Sequence, residues 1–148
     1  MSPLINAVGG SHPGGDLAPT RRLKVKAGEA IAAGKVCSWS TVADDGITVV
    51  ISGANTVVAG VALEAIASGS YGYIQTRGLN EVFMTLATGD STAGHYLYVG
   101  AAGEIVSTAM GSLTDADFVL SAVGLCLTVS SSSVQAAGTV VLFPFGGF

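Results

Sequence analysis

Apolar and polar residues alternate most clearly between positions 57 and 78. In the segment 57–66, Val57, Val61 and Leu63 fall on one face of an extended chain, and Glu64 falls on the other. This period of two is typical of a half-buried strand. Ser and Gly residues at 67–72 predict a loop, and 73–78 predicts the returning strand of a hairpin. Small residues occupy even the second face of 57–66, which predicts close approach by another layer or another chain.

The same succession of features occurs twice along the chain. A turn that contains Gly precedes a strand, a second turn follows, and a small-residue strand then leads through a Ser-rich turn to a strand that begins with Gly. The order and the spacing agree, so the sequence predicts two structural repeats of roughly sixty residues. The matched segments are 28–36 with 89–97, 45–47 with 102–105, 58–63 with 122–127, and 72–74 with 138–141.

The remaining apolar runs are short and rich in β-branched residues, and turn signals separate them at intervals of about eight to twelve residues. This spacing predicts an all-β fold, a small β-barrel or sandwich built from the two repeats. Segment 112–120 is the exception, since it is compatible with a helical turn or with a structured loop. We place one β domain at 23–148 and an extended N-terminal arm at 1–22, where Gly and Pro interrupt any periodicity.

The composition of the chain indicates that it assembles with other copies or with another protein. Hydrophobic residues make up 49% of the 148-residue chain and charged residues only 11%, well below the usual quarter. A monomer with so few charges would expose apolar surface, which normally marks interaction sites. The net charge is −4 and the cations are concentrated at 21–26, so we expect no nucleic-acid partner. We also expect no membrane partner, because the chain has neither a signal-like start nor an apolar run of spanning length.

Two parts of the chain provide candidate contacts for a partner. The arm is either disordered or an extended tether that becomes ordered against a neighbour. The C-terminal aromatic residues either fold back over the end of the barrel or dock into a partner, where each ring would contribute about 2 kcal/mol. The candidate interface residues, towards a capsid or another subunit, are Leu4, Ile5, Leu17, Arg21, Arg22, Phe143, Phe145 and Phe148.

The sequence contains no pattern typical of catalysis or cofactor binding. His12 and His95 lack acidic or cysteine neighbours at metal-ligand spacing. Asp44 and Asp45 precede a Gly, which is turn chemistry, and consecutive side chains of a strand point to opposite faces. The Ser residues at 130–133 have no neighbouring base, and the glycines do not form a phosphate-binding loop. We therefore predict a protein that is not an enzyme and has no cofactor or metal, with two buried thiols.

The succession of glycines and small aliphatic residues at 28–36, 60–63, 69–78, 89–97 and 123–125 resembles the capsid cement, or decoration, proteins of tailed bacteriophages. The resemblance covers about 23–143. It implies a homotrimer on the exterior of the capsid that bridges major capsid subunits, in a virion protein synthesised in the host cytoplasm. It also implies stabilisation of the expanded shell. The alternative is a receptor- or glycan-binding module of a head fibre or tail, for which exposed aromatic rings would be required.

Overall fold

A computed structural model describes residues 20–54, 56–87, 91–112, 121–128, 136–137 and 140–142. These residues form an all-β fold, as the spacing of runs and turns predicts. Segment 113–120, most of the predicted helical turn or loop, lies outside the described residues. The strands are β1 (Arg21–Ala27), β2 (Val36–Trp39), β3 (Thr48–Ile51), β4 (Val58–Ala62), β5 (Tyr71–Leu79), β6 (Met84–Thr85), β7 (Tyr96–Val99), β8 (Ile105–Thr108), β9 (Ala122–Cys126), β10 (Ala136–Ala137) and β11 (Val140–Leu142), with short 3₁₀ segments at Ala101–Gly103 and Met110–Ser112.

The first five strands form a closed β-barrel. Their order around the ring is β1, β3, β2, β4 and β5, and β5 pairs with β1 to close it. β1 runs parallel to β3, whereas the other neighbours are antiparallel. Val and Ile are frequent in these strands and suit a pleated, half-buried surface. The core of this unit contains Val25, Ile31, Val49, Ile66 and Ile74.

The second half of the chain repeats the pairings of the first. β7 pairs with β8 and β9, and β9 pairs with β11, just as β2 pairs with β3 and β4, and β4 with β5. A register shift follows Cys37 in β2 and Leu97 in β7. Gly34 and Gly94 lie in the turns before these strands, and each N–H donates over 2.8 Å to the last residue of β4 or of β9. The predicted internal repeat is therefore confirmed.

The short strands β6 and β10 extend this correspondence. β6 pairs antiparallel with β10, as β1 does with the first part of β5. Leu86 forms a parallel bridge with Ile105 of β8, just as β1 runs parallel to β3. The second unit thus repeats neighbours found in the barrel, although β6 and β10 form a separate two-stranded sheet and are shorter than β1 and β5.

The two units are joined by a shared sheet and a shared core. β5 pairs antiparallel with β11, which connects both sets of strands into one sheet. Val36, Val58 and Val61 of the first unit pack in the core of the second. All five residues of β4 are consequently buried. The small residues of β4 predict close approach by another layer or another chain. On the face that carries Val58 and Val61, that layer is the second unit of the same chain.

Polar contacts reinforce the junction between the units. The N–H of Gly103 donates to the carbonyl of Ser52 over 2.7 Å. The partly buried Lys35 and Glu104 form an ion pair with 3.5 Å between Nζ and Oε1. Because one partner of each pair comes from each unit, these contacts hold the turn before β8 against the strands β2 and β3.

Three boundaries differ from the predicted ones. β4 ends at Ala62, because the chain bends at Leu63 and Glu64 before Ile66 bridges to Ile31 across the barrel. The run at 81–87, one of the apolar runs that predict strands, forms strand structure only in β6 and at the Leu86 bridge. β1 begins at Arg21, two residues before Leu23, where the alternating segment that predicts this strand begins.

Candidate interaction surfaces

Side chains of the types used in catalysis or metal binding are hydrogen-bonded within the fold or buried in its core. His95 Nδ1 lies 3.2 Å from the Ser107 hydroxyl. Asp45 accepts hydrogen bonds from the Thr48 hydroxyl and from the N–H groups of Ile47 and Thr48, which lower the pKa of its carboxyl and close the turn before β3. Burial raises the pKa of the Cys37 thiol to about 12. Among the described residues, no group of His, Cys, Asp and Glu could hold a metal ion.

The two cysteines, Cys37 and Cys126, are free thiols and both are buried, as predicted from the sequence. The Cys37 thiol stays protonated at neutral pH because its surroundings exclude water. No helix in the described part of the chain has the length and apolarity that a membrane span needs.

Of the eight candidate interface residues, the described residues include two. Arg21 and Arg22 are exposed and form the start of β1, where they pair with Arg77 and Gln75 of β5. The other six lie outside the described residues: Leu4, Ile5, Leu17, Phe143, Phe145 and Phe148.

β1 and β5 together build a surface that the sequence analysis did not identify. It carries cations from both strands and two exposed tyrosines, whose side chains are 57% and 42% exposed. The Lys24 ammonium lies 5.8 Å from the centre of the Tyr71 ring, at cation–π distance. We call this surface the basic ribbon. It consists of Arg21, Arg22, Lys24, Lys26, Tyr71, Tyr73 and Arg77.

A buried amide fixes one end of the basic ribbon. The Gln75 side chain is fully buried, and its Nε2 donates to the carbonyls of Arg77 and Leu79 over 3.1 and 2.6 Å. Its Oε1 accepts from the N–H of Glu81 over 2.9 Å. These bonds position the Glu81 carboxylate to form an ion pair with Arg22, which raises the pKa of that guanidinium. Gln75 thereby orders the loop that follows β5.

The ribbon depends on Arg77, which lies far from the other cations in sequence. Along the sequence Arg77 stands apart from the cations at 21–26, and no local pattern indicates that β5 pairs with β1. The pairing brings Arg77 opposite Arg21. Only a prediction of strand order, in addition to strand position, would have found the surface.

A second surface feature surrounds the single tryptophan. Trp39 is half-buried at the end of β2 and lines an open pocket of about 450 Å³. None of the lining residues is charged, and the lining combines hydroxyl-bearing with apolar side chains. The lining residues are Ser38, Trp39, Ser40, Thr41, Val42, Val50, Ile51, Gly53, Thr56 and Val57. Trp39 ends one of the apolar runs that predict strands, and β2 confirms that run, but the sequence does not show that the indole borders a pocket.

The sequence matches no protein-family model and no curated protein sequence. The fold is similar to that of the N base of the head fibre protein gp8.5 of bacteriophage phi29. The superposition has a TM-score of 0.56 and covers 83% of this chain and 93% of the phage chain, with 16% sequence identity. The two proteins therefore share a fold despite low identity.

Proposed function

We propose that this protein is a structural component of a bacteriophage virion, which binds the capsid exterior as a homo-oligomer and is not an enzyme. The observation that carries the proposal is the shared fold with a phage head-fibre base, over most of both chains. A low charge content supports it, because few ionic side chains are available to cover an isolated subunit. Attachment to a capsid fits a cement protein and also a head fibre.

The mechanism we propose is stabilisation by preferential binding. A protein that binds the assembled, expanded shell more tightly than free capsid subunits stabilises that shell by the difference in binding free energy. A trimer that bridges several major capsid subunits needs only modest contacts, since each further contact forms at high effective concentration. The arm residues Leu4, Ile5 and Leu17 remain predicted contacts of this kind, as do the phenylalanines at the C-terminus.

The test of this function is binding to shells. We expect the purified chain to sediment as a trimer and to co-sediment with expanded capsids that lack it, in a saturable manner. Loaded capsids should release their DNA or dissociate at a higher temperature than unloaded ones. A protein that sediments as a monomer and remains in the supernatant at every capsid concentration would contradict the proposal. Binding without a gain in capsid stability would favour a fibre base over a cement protein.

The alternative is a glycan-binding module of a head fibre, and the Trp39 pocket favours it. An indole ring beside hydroxyl groups suits a neutral sugar, whose apolar face stacks on aromatic rings. Since Trp39 is the sole tryptophan, its fluorescence reports on this pocket directly. The alternative predicts a saturable change in emission when neutral oligosaccharides from the host surface are added.

A matched pair of substitutions makes this experiment specific. Val57→Asp alters a pocket residue that is 48% exposed, whereas Ile47→Asp alters a residue of similar exposure, 44%, outside the pocket lining. Glycan binding at the pocket predicts that Val57→Asp abolishes the fluorescence change and that Ile47→Asp retains it. If none of the neutral host oligosaccharides changes the Trp39 emission of the unmodified protein, the glycan-binding alternative is rejected.

A further inference from the structure

We propose that the basic ribbon is the surface through which this protein binds an acidic surface of the capsid protein. The inference rests on the proposed function and names the part of the molecule that performs it. It follows from the distribution of charge, from the exposure of the ribbon and from the type of side chain that the ribbon presents.

The charges of the chain are strongly segregated. β1 and β5 contain five of its six Lys and Arg residues and none of its ten Asp and Glu residues. The rest of the chain therefore has nine more acidic than basic residues. The sixth cation, Lys35, is engaged with Glu104 at the junction between the units. The net charge of −4 therefore combines two cationic strands with a remainder of the sequence that is acidic, and of the described acidic residues Glu81 pairs with Arg22 of the ribbon and Glu64 interacts with it electrostatically.

The ribbon is exposed although both of its strands are paired within the barrel. Arg21, Lys24 and Arg77 have exposed side chains, as have the two tyrosines. On β1, Lys24 lies directly opposite Tyr73, and Lys26 lies opposite Tyr71. Cross-strand pairing therefore places an ammonium group beside a phenol at two successive outward positions of the barrel wall. One cation, Arg22, is already paired with Glu81.

This combination of side chains suits an acidic protein surface. Tyrosine and arginine are enriched at protein interfaces, because tyrosine buries an apolar ring while its hydroxyl still forms hydrogen bonds. Ammonium and guanidinium groups attract carboxylates and orient the partner during encounter. The cation–π contact between Lys24 and Tyr71 holds part of the surface in place before binding, which reduces the entropy lost on association.

Two other occupants fit the ribbon less well. A second copy of this chain would supply acidic residues, but interfaces between identical subunits are usually more apolar, with charge depleted at their centre. A nucleic acid would meet the cations, but its affinity depends mainly on the number of phosphates that cations neutralise, and the ribbon offers only five, one of them already paired with Glu81. An acidic surface of another protein would contact both the cations and the tyrosines of the ribbon.

The test uses two variants of equal net charge. Lys24→Gln with Arg77→Gln removes one exposed cation from each strand of the ribbon. Ala32→Glu with Ala33→Glu adds two acidic residues at an exposed turn instead. We expect the ribbon variant to bind expanded capsids at least tenfold more weakly, and the control variant to bind like the unmodified protein. Affinity of the unmodified protein should also fall as NaCl rises from about 50 to 500 mM, and this dependence should be weaker in the ribbon variant.

The outcomes separate this inference from the function on which it rests. Equal capsid binding by the ribbon variant and the unmodified protein would overturn the inference and leave the function intact. If the ribbon variant dissociates into monomers, the ribbon forms contacts between copies of the chain and the inference is wrong. If the unmodified protein binds duplex DNA and the ribbon variant does not, the ribbon binds nucleic acid instead. Equal weakening by both variants would indicate an effect of net charge alone. If the unmodified protein fails to bind capsids, the proposed function fails first.

Discussion

Replacing Gly34 by alanine is expected to destabilise the folded protein by roughly 2–5 kcal/mol, because backbone strain of about 1–2 kcal/mol adds to an overpacking cost of about 1–3 kcal/mol. Gly34 has a φ of +84° in the turn before β2. A Cβ at this position would overlap the carbonyl oxygen of Phe83, which belongs to the segment between β5 and β6. That oxygen is part of the backbone, so it cannot move aside as a flexible side chain would.

The internal repeat supplies the control for this substitution. Gly94 occupies the equivalent turn before β7 with a φ of +86°, but a Cβ there would have no atom within 4 Å. Gly94→Ala should therefore cost only the backbone strain, about 1–2 kcal/mol. Denaturant unfolding of the two variants measures the difference in the free energy of unfolding. Equal losses would contradict a close contact between this turn and the second unit.

In a second pair of equivalent glycines, the crowded glycine belongs to the second unit and the one with open space belongs to the first. Gly46 and Gly103 lie in equivalent turns, with φ values of +70° and +69°. A Cβ at Gly46 would have open space, whereas at Gly103 it would lie 2.9 Å from the carbonyl oxygen of Val36. Each unit thus places one of its two turn glycines against the other unit. Glycine is required at the junction for close approach as well as for its dihedral angles.

The sequence predicts the elements of this fold better than their arrangement. The turns at Asp45-Gly46 and Ser68-Gly69 are encoded locally, by residues that tolerate positive φ or bond their own backbone. The repeat could be predicted because both units use the same turn before a strand. The ring closure of β1 with β5 joins residues about fifty positions apart, and no local signal encodes such a pairing.

The small residues of β4 are explained in part by the fold of the single chain. They predict close approach by another layer or another chain, and the second unit accounts for part of that approach. Gly60 in this strand faces the backbone of β5, where a Cβ would lie 2.6 Å from the carbonyl oxygen of Gln75. The low charge content and the exposed apolar side chains, such as Phe83 and Tyr71, therefore carry the argument for a partner.

Replacing Gln75 by leucine is expected to destabilise the protein by about 2–4 kcal/mol, because buried polar groups lose their partners. The carbonyls of Arg77 and Leu79 would no longer receive the amide, and the N–H of Glu81 would no longer find an acceptor. The loop after β5 should then detach, which would also separate Glu81 from Arg22. Denaturant unfolding measures the stability loss, and amide hydrogen exchange at 79–82 measures the loop.

A glutamate at position 75 distinguishes lost hydrogen bonds from lost packing, since it has nearly the shape of glutamine. At neutral pH its carboxylate would place a second acceptor against the carbonyls of Arg77 and Leu79, and burial would disfavour its charge. The folded-state pKa of this carboxyl should therefore rise above its unfolded value of about 4.3. The stability deficit of Gln75→Glu relative to the unmodified protein should then be largest above that raised pKa and should shrink as the pH falls, because the protonated acid regains one donor. A deficit that is the same at pH values of about 4 and 7 would show that the polarity of this amide contributes little, and that Gln75 acts mainly by filling space.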